Sequence, residues 1–331
     1  MAAPVSAGTR LQPQPLDPPA RLRWYGVVVV ALAFVPFVAP ADVAATATRI
    51  LALALLAVSL DLLVGVGGMP SLGQAAPFGV GVYAAGLTAR ELTPFAPVQV
   101  LVAVAAGALL SALLGWLVVR SRGTYLLMLS LALAELVHTL AGKWDALTGG
   151  TNGLVGVPAL TFAPGGEPVR LAGLVYWWVL AVAVVGFLVV VVVSRSAFGR
   201  SLRGIRDNEA RMSSLGYSTF RVKYTAFVIS GAVAGLAGAL WMAQTRFASP
   251  EDLGFHVSAF ALLAVVIGGR GSLWGAVLGA ALVGVIRDEF GPQLGGRGPL
   301  LLGIAFIAAV YLLPHGFAGL RLRRARTQGH P

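Results

Sequence analysis

Cysteine is absent from this chain of 331 residues, and lysine occurs only at Lys143 and Lys223. Without cysteine the chain can form no disulfide framework, no thiolate metal site and no thiol nucleophile. Neither lysine follows the glycine-rich turn of a phosphate loop, so the chain is not expected to hydrolyse ATP itself. The four histidines do not pair at metal-ligand spacing. The sequence therefore predicts neither an enzyme nor a bound metal or cofactor.

Charge is also scarce, because only 11% of the residues are charged, against about 25% in a soluble domain. Hydrophobic residues make up 57% of the chain. The net charge of +11 could indicate nucleic-acid binding, but the basic residues lie in short segments between apolar runs. There they orient a membrane protein rather than contact phosphates. The composition predicts an all-α, polytopic integral membrane protein that lies in lipid and binds no nucleic acid.

A bilayer core needs ~20 apolar helical residues for each span. By this criterion we predict a helical bundle of about ten spans. They lie at 24–40, 49–66, 71–89, 96–119, 124–141, 174–193, 224–243, 257–269, 273–290 and 299–314. The segments at 71–89 and 257–269 are the weakest, and glycine pairs adjoin both of them. These two are the candidates for half-helices or re-entrant segments.

The distribution of basic residues predicts that both termini are cytoplasmic. With this orientation 17 of the 24 Lys and Arg residues fall on the cytoplasmic side and 7 outside. Residues 1–23 have no hydrophobic periodicity, and we interpret them as a disordered cytoplasmic tail rather than a cleaved signal. Residues 24–318 form the predicted transmembrane domain, and residues 319–331 form a basic cytoplasmic tail.

The most polar internal segment is residues 194–223, the predicted cytoplasmic loop. It carries seven basic residues, namely Arg195, Arg200, Arg203, Arg206, Arg211, Arg221 and Lys223. Apolar residues recur in it at helical spacing, at Leu202, Ile205, Met212 and Leu215. This pattern predicts a short amphipathic helix. Such a helix either lies on anionic lipid or docks a soluble partner.

The loop and the helix after it, FGRSLRGIRDNEARMSSLGYSTFRVKYTAFVISGAVAGLAGAL (198–240), resemble the LivM-type permeases of branched-chain amino acid ABC importers. Four further segments resemble landmarks of that family in the same order. They are residues 59–83, TGGTNGL (148–154), GGRGSLWGAVLGA (268–280) and LLPHGFAGL (312–320). The resemblance covers roughly residues 50–320, and five landmarks in register are specific where one alone would not be.

The resemblance implies a permease subunit that forms a translocation path for Leu, Ile or Val and works by alternating access. Its implied partners are two ATPase subunits, a second permease that completes a heterodimer, and an extracytoplasmic substrate-binding protein. The implied location is the inner or plasma membrane of a prokaryote. The implied coupling residues are those of the loop that match the family's Glu-Ala-Ala…Gly segment and its surroundings: Arg203, Arg206, Asp207, Asn208, Glu209, Ala210 and Gly216.

Two other transport functions remain open at this point. Importers for urea or short-chain amides have very similar permeases. A secondary carrier that acts alone and is driven by an ion gradient is a different class, and it would use Asp61 or Glu135 as its coupling site. Charged residues within spans usually face the bundle interior and have a function. Asp61 is also placed to cap a half-helix, and Glu135 to contact His138.

Candidate path and docking residues follow the glycine-rich segments. Ser71, Gly73 and Gln74 follow the Gly67–Gly68 break, where exposed backbone N–H groups favour a carboxylate. With Glu135 they form the predicted translocation path, although for any single one of Ser71, Gly73 and Gln74 a packing turn is the simpler interpretation. The predicted turn that faces the binding protein consists of Thr148, Gly149, Gly150, Thr151 and Asn152.

Overall fold

The computed structural model describes residues 32–290, except 39, 164 and 170, together with positions 300, 303, 304 and 307. Within these residues the chain is helical and forms no β-strand, only two isolated bridges between loop residues. The predicted all-α class is confirmed. Ten helices of six residues or more are present in this part of the chain. They are α1 (Ala41–Asp61), α2 (Ala75–Leu87), α3 (Ala96–Val118), α4 (Thr124–Lys143), α5 (Ala172–Arg195), α6 (Ala197–Asp207), α7 (Glu209–Ser214), α8 (Thr219–Thr245), α9 (Phe255–Gly268) and α10 (Leu273–Val285).

Shorter helical turns extend or connect these helices. Wider π-helical turns continue α1, α2 and α10 at Leu62–Val66, Thr88–Leu92 and Ile286–Phe290. Single turns of α-helix occur at Val35–Val38 and Asp145–Thr148, and 3-10 turns at Gly150–Asn152 and Pro250–Leu253. With these turns, most of the apolar segments are helical along their whole length. Their backbone groups are then hydrogen-bonded within the helix, as the water-free core of a membrane requires.

Five helices, α1, α3, α4, α5 and α8, are long and apolar enough to cross a membrane. They are consistent with the spans predicted at 49–66, 96–119, 124–141, 174–193 and 224–243. The two segments predicted as weakest are short helices, α2 with 13 residues and α9 with 14. At about 1.5 Å per residue, neither α-helix alone spans a core of about 30 Å. The segments 24–40 and 299–314 lie largely outside the described residues, so the total of ten spans stays a prediction.

Helix α8 lies in the centre of the bundle, in contact with α1, α2 and α3. Its glycines allow this close approach, because Gly231 and Gly235 face the backbone of α3, and Gly238 faces the backbone of α2. Helix α3 presents a matching stripe of buried residues four positions apart: Gln99, Ala103, Gly107, Ser111 and Gly115. Small residues at this spacing let apolar helices pack through van der Waals contact where no hydrophobic driving force exists.

The connections between the helices gather at two ends of the bundle. At one end, which we call the loop end, the segments 65–74, 120–123, 194–223 and 269–272 meet through side-chain and backbone contacts. At the far end, Phe95 pairs with Thr161, Leu154 pairs with Ala248, and Arg49 contacts Asp288. The loop 194–223 therefore shares its end with both breaks in the short helices.

Candidate coupling loop and translocation path

The loop at the loop end contains two helices rather than the one that its apolar spacing predicted. Ser196 caps α6 by accepting a hydrogen bond from the Gly199 N–H, at 3.3 Å. Asn208 then starts α7, because its side chain accepts a hydrogen bond from the Arg211 N–H, at 2.9 Å. Capping by Ser and Asn side chains favours a new helix start over continuation. The helical phase is therefore reset at Asn208, and the predicted helix is corrected to α6 and α7.

This reset changes which apolar residues are buried. Leu202 and Ile205 of α6 are buried against the bundle, as the spacing predicted. Leu215 is 66% exposed and Tyr217 is 47% exposed, although Leu215 was expected on the same apolar face. Gly216 between them has φ +86°, in the left-handed region that glycine adopts without strain. The large apolar side chains that the loop exposes thus lie in the turn after α7.

Helix α6 is fixed to the bundle through two arginines. Arg203 Nη1 donates to the Ser194 carbonyl at 2.8 Å, and Arg206 Nη1 donates to the Gly65 carbonyl. Burial, together with the positive charges of Arg206 and Arg200, lowers the pKa of Arg203 from its usual value. Asp207 contacts Arg206 at 3.2 Å on the exposed side of the helix. These arginines hold the loop in position as well as giving it charge.

Glu209, the acid that the family resemblance assigns to coupling, contacts residues of its own chain. Its carboxylate lies 2.8 Å from the Lys223 ammonium and 3.7 Å from Arg122. Burial by itself would raise the pKa of Glu209, but hydrogen bonds from Lys223 and Thr219 and the charges of Lys223 and Arg122 outweigh it, and the pKa lies below its usual value. Lys223 is nine-tenths buried, so this ion pair anchors the start of α7 to the start of α8.

A cavity of about 210 Å³ lies between the loop and the rest of the loop end. Charged and polar side chains of the loop face the backbone of two turns across it. Its lining comprises Gly67–Pro70, Ser121–Gly123, Leu126, Ile205–Glu209 and Lys223. The predicted coupling residues Arg206, Asp207, Asn208 and Glu209 thus share one cavity, whereas Ala210 and Gly216 lie on the exposed surface.

The predicted path residues Ser71 and Gln74 are buried inside the bundle. Gln74 Nε2 donates to Ser230 Oγ at 2.7 Å and to Ser59 Oγ at 3.0 Å, and the Ser230 hydroxyl donates to the Ser59 carbonyl. Ser71 Oγ accepts a hydrogen bond from the Gly73 N–H. These contacts satisfy the polar groups of the break from within the protein, which is the condition for non-helical backbone at membrane depth.

Other helices supply hydroxyl groups to the same break. Ser130 of α4 accepts a hydrogen bond from the Leu72 N–H at 3.1 Å, and Ser258 of α9 accepts one from the Ala75 N–H at 2.8 Å. The Gly73 backbone also packs directly on the Ser130 carbonyl, so a side chain there would collide with α4. Through these hydrogen bonds the break before α2 contacts four helices, α1, α4, α8 and α9. The role of Ser71, Gly73 and Gln74 in a translocation path stays a prediction.

Glu135 lies on a different surface from these residues. Its side chain is 52% exposed on α4, and its carboxylate is 2.9 Å from His138 Nδ1. The contact with His138 that the sequence suggested is present. Around it α4 exposes mainly apolar and uncharged residues, including Tyr125, Met128, Leu136 and Leu140. Glu135 and His138 are thus a polar pair on a mainly apolar face.

At the far end, the predicted turn 148–152 is a compact structure. The Thr148 hydroxyl lies 2.6 Å from the Ala141 carbonyl and 2.7 Å from the Trp144 carbonyl, which ties the turn to the end of α4. Gly149 and Gly150 both have positive φ, whereas Thr151 and Asn152 are exposed. Of the five residues, only the last two present side chains to the surroundings in this fold.

Comparison with known proteins identifies the family to which the chain is related. The family described as branched-chain amino acid transport system / permease component matches residues 43–313. The permease protein LivM of the high-affinity branched-chain amino acid transport system of Salmonella typhimurium is 31% identical, over 92% of this chain and 77% of that protein. LivM of Escherichia coli is also 31% identical, over 88% and 73%.

A more distant similarity links the chain to LsrC, the permease protein of an autoinducer 2 import system in Enterobacter, which is 32% identical over 56% of this chain and 53% of that protein. No solved structure matches the chain. The family match covers most of the chain, and the two LivM proteins are matched along most of their own length. This integral membrane chain therefore belongs to the permease component family of branched-chain amino acid transport systems.

Proposed function

We propose that this chain is one of two permease subunits in an ABC importer that carries leucine, isoleucine or valine into a prokaryotic cell. The observation that carries the proposal is the similarity to LivM proteins along most of both chains. The loop also resembles the family's coupling segment, although Arg211 stands in place of its second Ala. In this proposal two partner ATPases hydrolyse ATP, and a binding protein delivers the substrate outside. The second permease completes the path.

In this proposal α7 and the turn after it dock in a cleft of an ATPase subunit. Two observations support docking over adsorption to lipid. The apolar side of α6 is buried in the chain's own bundle, so it is not available to enter a bilayer. The Glu209–Lys223 ion pair fixes the start of α7, while Ala210, Leu215 and Tyr217 stay exposed. A pre-positioned surface loses less conformational entropy on binding.

The loop end is the cytoplasmic end in this proposal, with both termini inside. The excess of Lys and Arg in the segments that meet there supports this orientation. The far end, including Thr151 and Asn152, then faces the binding protein. ATP-driven closure of the ATPases moves the loop, and the bundle alternates between outward-open and inward-open states.

We place the substrate path along the face of α4 that carries Glu135, where this chain meets the second permease. A charge facing lipid at mid-membrane costs about 2.5–3.5 kcal/mol or more, so the exposed Glu135 is expected to face protein or water. Its exposure on an apolar face supports this placement. Ser71 and Gln74, which are buried, and Gly73, which is partly buried, then shape the bundle behind the path.

The test is purification of the tagged chain after expression with its chromosomal neighbours, followed by reconstitution in proteoliposomes. We expect two ATPases and a second permease to co-purify. Uptake of labelled leucine should require ATP and loaded binding protein, and excess isoleucine or valine should compete. If only urea or short-chain amides compete, the proposed substrate class is wrong and these solutes take its place. Uptake by the chain alone under an ion gradient, without ATP, would overturn the proposal.

A further inference from the structure

Asp61 is a fully buried acid whose contact lies far away in the sequence. It ends α1, and its Oδ1 accepts a hydrogen bond from the Gly271 N–H at 2.8 Å, across 210 residues. Gly271 belongs to the turn between α9 and α10, and it has φ +81°. The second oxygen, Oδ2, accepts no hydrogen bond within the part of the chain that the structure describes. Burying a carboxyl group with one oxygen that accepts no hydrogen bond costs free energy, so we ask what Asp61 contributes at this position.

The helical turn after Asp61 is in direct backbone contact with the same α9–α10 turn. Gly65 lies in the π-helical turn Leu62–Val66, and a Cβ atom at this position would overlap both the Asp61 carboxylate and the Gly271 backbone. Only glycine permits this approach. The end of α1 and the turn at 269–272 are therefore joined twice, through the Asp61 hydrogen bond and through the contact at Gly65.

The cytoplasmic loop reaches the same turn of α1 from the other side. Arg206 Nη1 donates to the Gly65 carbonyl, one of the carbonyls of a last helical turn that lack a partner along the helix. The aliphatic part of Arg206 lies on Gly68, at the start of the break before α2. The positive charge is also favourable at a helix C-terminus and for the nearby Asp61. One arginine of α6 thus contacts both the end of α1 and the first break.

We infer that Asp61 is a positioning residue for energy coupling: it fastens the α9–α10 turn to the helical turn of α1 that Arg206 holds, so that movement of α6 reaches both helix breaks together. This inference rests on the proposed function. A displacement of α6 acts on Gly65 and Gly68 through Arg206, and it acts on Gly271 through the Asp61 carboxylate. Without that hydrogen bond, a displacement of α6 is no longer transmitted to α9 and α10.

The first experiment measures amide hydrogen exchange in the purified full chain, which needs neither substrate nor partners. Asp61→Ala removes the acceptor, and we expect exchange in the segment 268–272 to rise by about tenfold. Asp61→Asn keeps an acceptor oxygen and the side-chain volume, so exchange should stay near the wild-type level. Unchanged exchange in Asp61→Ala would overturn the inference.

The second experiment measures ATP hydrolysis by the reconstituted complex with and without loaded binding protein. Asp61→Ala should reduce the stimulation by loaded binding protein about fivefold or more, with basal hydrolysis and the yield of assembled complex unchanged. Asp61→Asn should restore most of the stimulation. Ser59→Ala is the matched control, since Ser59 is equally buried on α1 but its hydroxyl accepts a hydrogen bond from Gln74 and donates to the Leu56 carbonyl.

The two experiments separate the inference from the proposed function. Faster exchange with normal stimulation would show that Asp61 only stabilises the fold, and it would overturn the coupling role while leaving the transport function intact. Equal loss of stimulation in Ser59→Ala and Asp61→Ala would overturn it as well, because the effect would then be general. If a binding protein loaded with another solute stimulates hydrolysis, the proposed substrate is wrong. Loss of that stimulation in Asp61→Ala would still support the inference.

Discussion

Lys223 is the residue on which the position of α7 depends. It is 9% exposed, and its ammonium is 2.8 Å from Glu209. Lys223→Met keeps the length of the side chain but leaves the Glu209 carboxylate partly buried without its nearest cation, which costs about 1–3 kcal/mol. We expect α7 to detach from α8, with hydrogen exchange in residues 209–216 rising about tenfold or more. The measurement is exchange by mass spectrometry on the full chain in detergent.

Two variants control this prediction. Arg221→Met removes an exposed positive charge two residues away and should leave exchange in α7 unchanged. Glu209→Gln combined with Lys223→Met removes both charges, and exchange should fall back toward the wild-type level because no unpaired charge is left. If Lys223→Met alone leaves the protection of α7 intact, the ion pair is not its anchor.

The same ion pair predicts how the loop responds to pH. The pKa of Glu209 is below its usual value of 4.5, so the carboxylate binds its proton less tightly in the folded chain than in the unfolded chain. The stabilisation it gives is therefore complete above about pH 4.5 and is lost as the pH falls through the folded pKa. Exchange in α7, corrected for its intrinsic pH dependence, should be flat from about pH 8 to 5 and rise below about 4.5. Glu209→Gln should abolish this rise, and a rise that persists in that variant would assign it to another group.

At the scale of the helices, the contact between α3 and α8 depends on missing side chains. A Cβ atom at Gly107 would overlap the Gly231 carbonyl and the Gly235 backbone, neither of which can move like the end of a flexible side chain. Gly107→Val should therefore destabilise the bundle by about 1–3 kcal/mol or more, through overpacking. Ala105→Val places the same side chain on the exposed side of α3 and should have little effect. Thermal unfolding in detergent checks both variants, and equal melting temperatures would show that the helices can separate without cost.

The sequence predicted the long helices well because an apolar run of the right length has few alternatives in a membrane. It predicted α6 and α7 less well. The capping signal at Asn208 was present, but the spacing of Leu202, Ile205, Met212 and Leu215 favoured one continuous helix. Hydrogen bonding of Asn208 to Arg211 decided the outcome, and Leu215 became exposed.

The contacts of the candidate site are even harder to predict from the sequence, because they join residues that no spacing rule connects. Gln74 bonds to Ser230 across 156 positions, and Asp61 to Gly271 across 210. The sequence marked Gln74 as a path residue from the glycine break before it. Only the packing of α8 against α1 and α2 reveals that its amide donates to Ser59 and Ser230, and its place on a translocation path stays a prediction. Asp61 was interpreted as a possible helix cap, but Ser272 caps α10, and Asp61 accepts its hydrogen bond from Gly271 in the turn before that helix.

At the scale of the whole molecule, the exposed face of α4 predicts where the second permease binds. The chain has no cysteine, so single cysteines can be introduced without a background. Met128→Cys and Leu136→Cys lie on the α4 face around Glu135, and we expect both to cross-link to the second permease with a short bifunctional reagent. Leu188→Cys and Val192→Cys are matched controls, because they are exposed to a similar degree on α5 and should remain on the lipid side.

The reason for this expectation is the energy of Glu135 in lipid. His138 contacts one oxygen of the Glu135 carboxylate, but a permanent lipid contact would still place a charged group in the membrane, at a cost of about 2.5–3.5 kcal/mol or more. A protein interface can supply further donors and water. Cross-linking from α4 that changes with ATP would further indicate that this face moves during transport. Cross-links from α5 with none from α4 would place the second permease on the α5 face and would contradict the path proposed along α4.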